Sequence, residues 1–339
     1  MLQIQGSTEA LRLKRPFFIS GYRFDEVEVL RVAVRDGDCH AVGEAGGVYY
    51  RGETAQLMQR NLAAMDASCW KGLDRFTLQR LLPAGGLRNA IDCALWQLEA
   101  NRRHLPLHRL ANLAGTRALA TSMTVGVDTP ENMALAAAAH AGARVIKLKL
   151  DGSALDAERI RMVRRLCPQA RLLVDANQGW SMAHLESLLP LMLGCRVELI
   201  EQPLPVGADG DLHGYLCPIP IAADESFQQL SDLEEMARKY QFINIKLDKC
   251  GGLTAALQIR QEAPRHGLGV MVGSMVGTSM AMAPAFVAGQ GAWIVDLDAP
   301  LFLARDVEPA ALYQDGTIDF PHLWERDPHD CDALAAVLV

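Results

Sequence analysis

From about residue 120 the chain alternates short apolar runs with amphipathic stretches. The runs are ATSMTVGV (from Ala120), ARVIKLKL (from Ala143), ARLLVDAN (from Ala170), RVELIEQP (from Arg196), PIAADES (from Pro220), FINIKLDK (from Phe242), LGVMVGSM (from Leu268) and AWIVDLDA (from Ala292). Each has the length of a strand, and most gaps carry a helical pattern, as in PENMALAAAAHAGA and GLTAALQIRQEAPRHG. The gap after IEQPLP has room only for a short helix or turn. Buried strands alternating with helices make a parallel sheet from right-handed βαβ units, and eight such units close into a barrel. An open doubly wound sheet is the other arrangement this pattern permits.

Residues 1 to about 115 follow a different rhythm. Strand-like stretches such as VEVLRVAVRDG (from Val27) precede helices. In GLRNAIDCALWQLEANRRH, Ile91, Ala94, Leu95 and Leu98 share one face at helical spacing. This predicts an α+β domain ahead of the barrel. A tail from about Arg305, with the strand-like GTIDF, returns either to that domain or to the outside of the barrel.

Charges interrupt the apolar runs at one recurring place, the C-terminal end of the strand. They are Lys147 and Lys149, Asp175, Glu201, Asp224, Lys246, and Asp296 with Asp298. Lys149, Asp175, Glu201, Asp224 and Lys246 follow one another at intervals of 22 to 26 residues, about one βα unit each. Their side chains therefore converge on the barrel mouth, where barrel enzymes carry their sites. Residues two apart on a strand face the same way, so each pair shares a face. Singly, a lysine at a strand end reads as a snorkelling surface residue and an aspartate as a helix N-cap. Recurrence on strand after strand calls for another reason.

Composition narrows the chemistry. Lys plus Arg number 33 and Asp plus Glu 40, a net charge of −7 in 339 residues. That balance gives no general attraction to nucleic-acid phosphates or anionic lipid. No apolar run approaches the roughly 18 residues of a membrane helix, and MLQIQGSTEALRLKRPFFI lacks the layout of a secretion signal. The eight cysteines are scattered without a CxxC pair, as free thiols in a reducing compartment are. We expect a cytoplasmic protein with neither a nucleic-acid nor a membrane partner. HExxH, GxxxxGK[ST] and GxGxxG are absent, so neither that zinc motif nor a nucleotide phosphate cradle is supported.

Asp175, Glu201 and Asp224 stand on adjacent strands as an all-oxygen set, which favours Mg2+ over zinc. Lys149 and Lys246 fall on strands two and six, on opposite sides of an eight-stranded barrel. A substrate held between them would present its two faces to two amines, a geometry suited to removing a proton from one face and returning it to the other.

Lys147-x-Lys149, Asp175-x-Asn177, Glu201-Gln202-Pro203, Asp224-Glu225-Ser226 and Lys246-x-Asp248, in this order, resemble the enolase superfamily in its muconate-lactonizing subgroup. The helix AIDCALWQLEA resembles the one preceding the barrel there. The resemblance implies a (β/α)7β TIM-like barrel over residues 116–304. It also implies an α+β capping domain over 1–115, completed by about 305–339, and a symmetric homo-oligomer. Mandelate-racemase-like members carry a His on strand seven; VMVGSMVGTS has none, so the acid/base pair is Lys149 and Lys246. Asp296-Leu297-Asp298 is similar to the DxD with which dipeptide epimerases bind the substrate's α-ammonium, although a capping or salt-bridging pair reads the same way alone. Tyr50-Arg51-Gly52-Glu53 resembles their mobile loop, and Thr124 matches a substrate-contacting position.

The implied activity is epimerisation of the C-terminal residue of a dipeptide, L-Ala-D/L-Glu being the best-known substrate, by 1,1-proton transfer through an enediolate. About 10 turnovers per second require a barrier near roughly 16 kcal/mol, which a lone amine does not reach at a carboxylate's α-carbon. The metal would stabilise the developing charge. A lysine base must be neutral, and burial, the metal and Lys147 would lower the pKa of Lys149. Lys147 would also bind the substrate carboxylate. Arg23 and Arg51 suit an acidic substrate side chain, and Asp25 and Glu26 a basic one. The same constellation serves o-succinylbenzoate synthase, N-acylamino-acid racemase and muconate cycloisomerase, whose substrates lack the ammonium that Asp296 and Asp298 would meet. A non-catalytic metal-binding or interaction protein is the remaining class.

Overall fold

The computed structural model describes residues 2–140 and 142–321. The chain opens with three antiparallel strands, β1 (Gln3–Ile19), β2 (Tyr22–Asp36) and β3 (Cys39–Ala45), in that spatial order. The β1–β2 hairpin turns at Ser20 and Gly21, where Gly21 has φ +75°, a conformation that glycine adopts without steric cost. Helices α1 (Ala55–Ala63), α2 (Arg75–Leu81) and α3 (Gly86–Arg103) follow. Ile91, Ala94, Leu95 and Leu98, the predicted face of α3, are buried with Leu30, Val32 and Val34 of β2 in one core. Contact between α3 and β3 is close enough that a Cβ on Gly43 would lie 2.1 Å from the Ala90 carbonyl oxygen. Gly43→Ala is therefore expected to cost about 1–3 kcal/mol, as overpacking against backbone does. An unchanged urea midpoint would show that the helix is not seated on the sheet in this way.

After α4 (Leu107–Leu110) and β4 (Leu119–Ala120) comes the predicted eightfold alternation. Its strands are β5 (Ser122–Val125), β6 (Val145–Lys149), β7 (Arg171–Asp175), β8 (Val197–Glu201), β9 (Ile221–Ala223), β10 (Phe242–Lys246), β11 (Gly269–Gly273) and β12 (Ile294–Asp296). They form one parallel sheet in sequential order. A bridge from Thr121 to Val295 joins its two edges. The open-sheet alternative is thereby removed: the fold is α/β, a (β/α)7β barrel with a separate antiparallel cap sheet.

Helices α5 (Pro130–Ala139), α6 (Asp156–Leu166), α7 (Met182–Gly194), α8 (Leu233–Met236), α9 (Leu247–Cys250), α10 (Leu253–Glu262) and α11 (Ser279–Gly289) fill the connections. The exception is the gap after β8, which holds only a 3-10 turn at Asp209–Leu212, as its sequence predicts. Behind β12 the chain runs to the cap, where Leu13 bridges Leu303 and Phe17 stacks on Phe302 at 4.8 Å. Strand β13 (Leu312–Gln314) then pairs with β14 (Thr317–Asp319), which pairs in turn with β4. Residues 322–339, part of the expected cap, lie outside the described residues, as does Cys331. No described cysteine is in a disulfide, and no helix among the described residues is long and apolar enough to cross a membrane.

Side-chain alternation divides the barrel interior into two storeys. The lower is apolar: Val145, Leu173, Leu199, Ala222, Met271 and Ile294 form one buried cluster. Two residues further along the strands, the same face presents Lys147, Asp175, Glu201, Asp224 and Asp296.

Candidate active site

Strand register sets the upper storey. Lys149 lies beside Asp175 and Asp175 beside Glu201, while Lys246 lies beside Gly273 and Gly273 beside Asp296. Lys147 is in contact with three carboxylates: Glu201 at 2.7 Å, Asp296 at 2.8 Å and Asp175 at 3.0 Å. Lys149 pairs with Asp175 at 2.6 Å and Lys246 with Asp224 at 2.7 Å. Every site residue expected from sequence is buried: Thr124, Lys147, Lys149, Asp175, Glu201, Asp224, Lys246, Asp296 and Asp298. The Asp296–Asp298 pair closes on strand one. Asp296 accepts from Ser122 Oγ and Asp298 accepts from the Thr124 N–H at 2.6 Å.

Ionisation follows from these contacts. Burial pushes Glu201 up to about 7, with Asp175 adding to the effect. Burial also pushes Asp298 up to about 7, helped by its neighbour Asp296. Asp296 is held at about 2, because Lys147 and Lys149 outweigh burial. At Asp224 burial is overcome by Lys246 and Lys249, and the group stays well below the usual carboxylate range. Burial alone would lower Lys246, but Asp224 holds it well above an ordinary lysine. The contact with Asp224 thus favours the charged form of Lys246, in contrast to the neutral amine that a lysine base requires.

Three residues at the site were given no role from the sequence. Lys249 donates to the Asp224 carboxylate at 2.6 Å and to its carbonyl oxygen at 2.5 Å. It sits three residues beyond Lys246 on the single turn of α9, and that i,i+3 spacing was the available signal. Asn244, two residues before Lys246 and so on the same face, donates to Glu201 Oε1 at 2.8 Å. Gln202 ties neighbouring strand ends together, its Oε1 accepting from the N–H groups of Asp224 (2.9 Å) and Ser226 (3.0 Å). That bond gives the Glu-Gln-Pro and Asp-Glu-Ser motifs a shared structural purpose.

A cavity of about 370 Å³ lies between barrel and cap. Lys149, Asn177, Lys246, Ser274 and Met275 line it from the barrel; Phe17, Ile19, Phe24, Glu26 and Tyr49 are among those lining it from the cap. Of the residues weighed for side-chain preference, Glu26 reaches this cavity. Arg23 instead pairs at the surface with Asp25, and Arg51 donates to Gln228.

The carboxylates fit a hard divalent cation in chemistry: they are oxygen donors, buried and of excess negative charge. Among the described residues Glu201 Oε2 has no hydrogen-bond partner and lies 2.7 Å from the Lys147 ammonium, so this buried oxygen is already met by a cation. Among the described residues no three His, Cys, Asp or Glu side chains form a ready-made metal cage; Asp175, Glu201 and Asp224 are each paired with a lysine.

A family model described as "Enolase C-terminal domain-like" matches residues 108–323. The chain belongs to this family, within the enolase superfamily. It is 38% identical over 312 residues to the L-Ala-D/L-Glu epimerase of Escherichia coli (strain K12), covering 91% of this chain and 97% of that one. It is also 38% identical over 251 residues to the N-acetyl-D-glutamate racemase of a Pseudoalteromonas species, covering 74% and 79%. An enolase family member from Agrobacterium tumefaciens with homology to dipeptide epimerases, crystallised with sodium and L-Ala-L-Glu, superposes with a TM-score of 0.92. It is 38% identical, and the match covers 96% of this chain and 100% of that one.

Proposed function

We propose that this chain is a dipeptide epimerase, an isomerase that inverts the α-carbon of the C-terminal residue of a dipeptide of the L-Ala-D/L-Glu kind. The observation that carries the reading is that Lys149 and Lys246 line the same cavity. They stand on β6 and β10, four strands apart in a barrel of eight. A carbon centred between them has one face toward each amine. One lysine accepts the α-proton and the other, held as ammonium, donates to the opposite face; the roles reverse with the other epimer.

Asp175, Glu201 and Asp224 would hold Mg2+, which when bound supplies positive charge to the developing anion of the substrate carboxylate. Lys147, amid three carboxylates, orients that carboxylate. Asp296 and Asp298, with Thr124, receive the α-ammonium. We read residues 1–115 with about 305–339 as the cap and 116–304 as the barrel. We also read the protein as a cytoplasmic homo-oligomer without nucleic-acid or membrane partners.

Racemisation of an N-acylamino acid is the second reading. It is favoured by the Pseudoalteromonas relative and by the occupation of Asp296 with Lys147 and Ser122. Incubation with Mg2+ and a dipeptide library in D2O separates the two. Deuterium is expected at the C-terminal α-carbon of dipeptides; exchange confined to N-acyl or N-succinyl amino acids would overturn the epimerase reading.

A further inference from the structure

The cap turn from Gly46 to Gly52 is flanked by residues at positive φ, +72° at Gly47 and +74° at Gly52. Its first backbone donors are taken by two carboxylates from different parts of the chain. The Gly47 N–H donates to Asp248 Oδ1 at 3.0 Å, and the Val48 N–H donates to Glu53 Oε2 at 3.0 Å. Glu53 also accepts the Gly86 N–H at 2.9 Å. It thereby serves as the anionic cap of α3, whose own N-cap residue, Gly85, has no side chain to offer.

Asp248 is buried and lies two residues beyond Lys246, on α9. Between the two anchors, Tyr49 lines the cavity. The segment after Lys149 is tied differently. The Gly152 N–H donates to Asp156 at 2.9 Å, and Asp151 pairs with Arg159 at 2.6 Å, all within the barrel. The cap turn is thus fastened on the Lys246 side.

We propose that Asp248 is a positioning residue that latches the cap turn to the strand end carrying Lys246, with Glu53 bracing the same turn against the start of α3, so that closing the cavity and placing that lysine are one event. Neither residue touches the reacting atoms. The kinetic consequence rests on the epimerase reading above, whereas the latch itself can be tested without it.

Arg51 is exposed on the turn and offers trypsin a cleavage point. The full-length protein is compared as wild type, Asp248→Ala, Asp248→Asn and Glu53→Ala, with cleavage after Arg51 followed by mass spectrometry and global stability by urea unfolding. Both alanine variants are expected to be cut there roughly tenfold faster, beyond what any fall in global stability accounts for. Asp248→Asn keeps an oxygen for the Gly47 N–H and is expected to restore the slow rate. With dipeptide, KM rises roughly tenfold in the alanine variants, in proportion to the lost closed fraction, with a smaller change in kcat. α-Proton exchange on the Lys246 face falls more than on the Lys149 face. Unchanged cleavage in folded alanine variants, or an asparagine variant as labile as alanine, overturns the latch. Should Asp248→Ala not fold, Asp248→Val, which fills the buried space without accepting from the Gly47 N–H, carries the same test, and Glu53→Ala reports the brace on α3. A wild type that exchanges no dipeptide sinks the epimerase reading alone, because proteolysis still decides the latch.

Discussion

Lys246→Ala is expected to abolish interconversion of the two epimers, by about 10³-fold or more, while α-proton exchange survives in the epimer that faces Lys149. The size follows from losing one of two obligatory proton carriers, each worth about 10²–10⁴ in rate. The surviving half-reaction follows from placement: the lysines are on opposite walls of one cavity and do not share a carboxylate, Lys149 pairing with Asp175 and Lys246 with Asp224. The variant should also fold, because Asp224 retains Lys249 as its counter-charge. Lys149→Ala is the mirror image, with Asp175 still held by Lys147. NMR of each epimer in D2O reads the two faces separately. Equal loss of exchange from both epimers in Lys246→Ala would show that the lysines do not divide the faces between them.

Asp224→Asn carries the second large effect, on stability and activity together. Asp224 is the anion between Lys246 and Lys249, and all three side chains are buried. Removing one member of a buried ion cluster leaves its partners uncompensated, at a cost of about 3–5 kcal/mol. The urea midpoint should fall accordingly, and activity should vanish with the lost oxygen donor and the displaced Lys246. Adding Lys249→Met removes one stranded cation and should recover part of the stability but none of the activity. An Asp224→Asn protein that unfolds at the wild-type midpoint would mean that Asp224 does not compensate the lysines.

Most of this architecture could be read before any coordinates. The eight apolar runs are the eight strands, and the charges at their ends share one layer, because alternation along a strand and repetition of the βα unit are local properties. Ile91, Ala94, Leu95 and Leu98 declared the buried face of α3 by the same logic. What stayed hidden depends on distance along the chain. The bond from Gly47 to Asp248 spans 201 residues, and no spacing rule reaches that far. Lys249 escaped notice because a lysine just past a strand is ordinarily solvated, and only the turn of α9 brings it back onto Asp224. The protonation of Lys246 was equally beyond reach, since its direction depends on whether burial or the Asp224 contact prevails, which is a matter of ångströms.

The apolar lower storey of the barrel has a consequence for traffic. Val145, Leu173, Leu199, Ala222, Met271 and Ile294 form an apolar floor beneath the charged ring, and the polar side chains level with it, Ser122 and Asn244, bond upward to Asp296 and Glu201. The chamber is therefore blind at that end. Substrate and solvent reach the charged ring through the cavity under the cap, and a proton taken from the substrate leaves for bulk water by the same route. Isotope wash-in relative to inversion thus clocks the door rather than the chemistry.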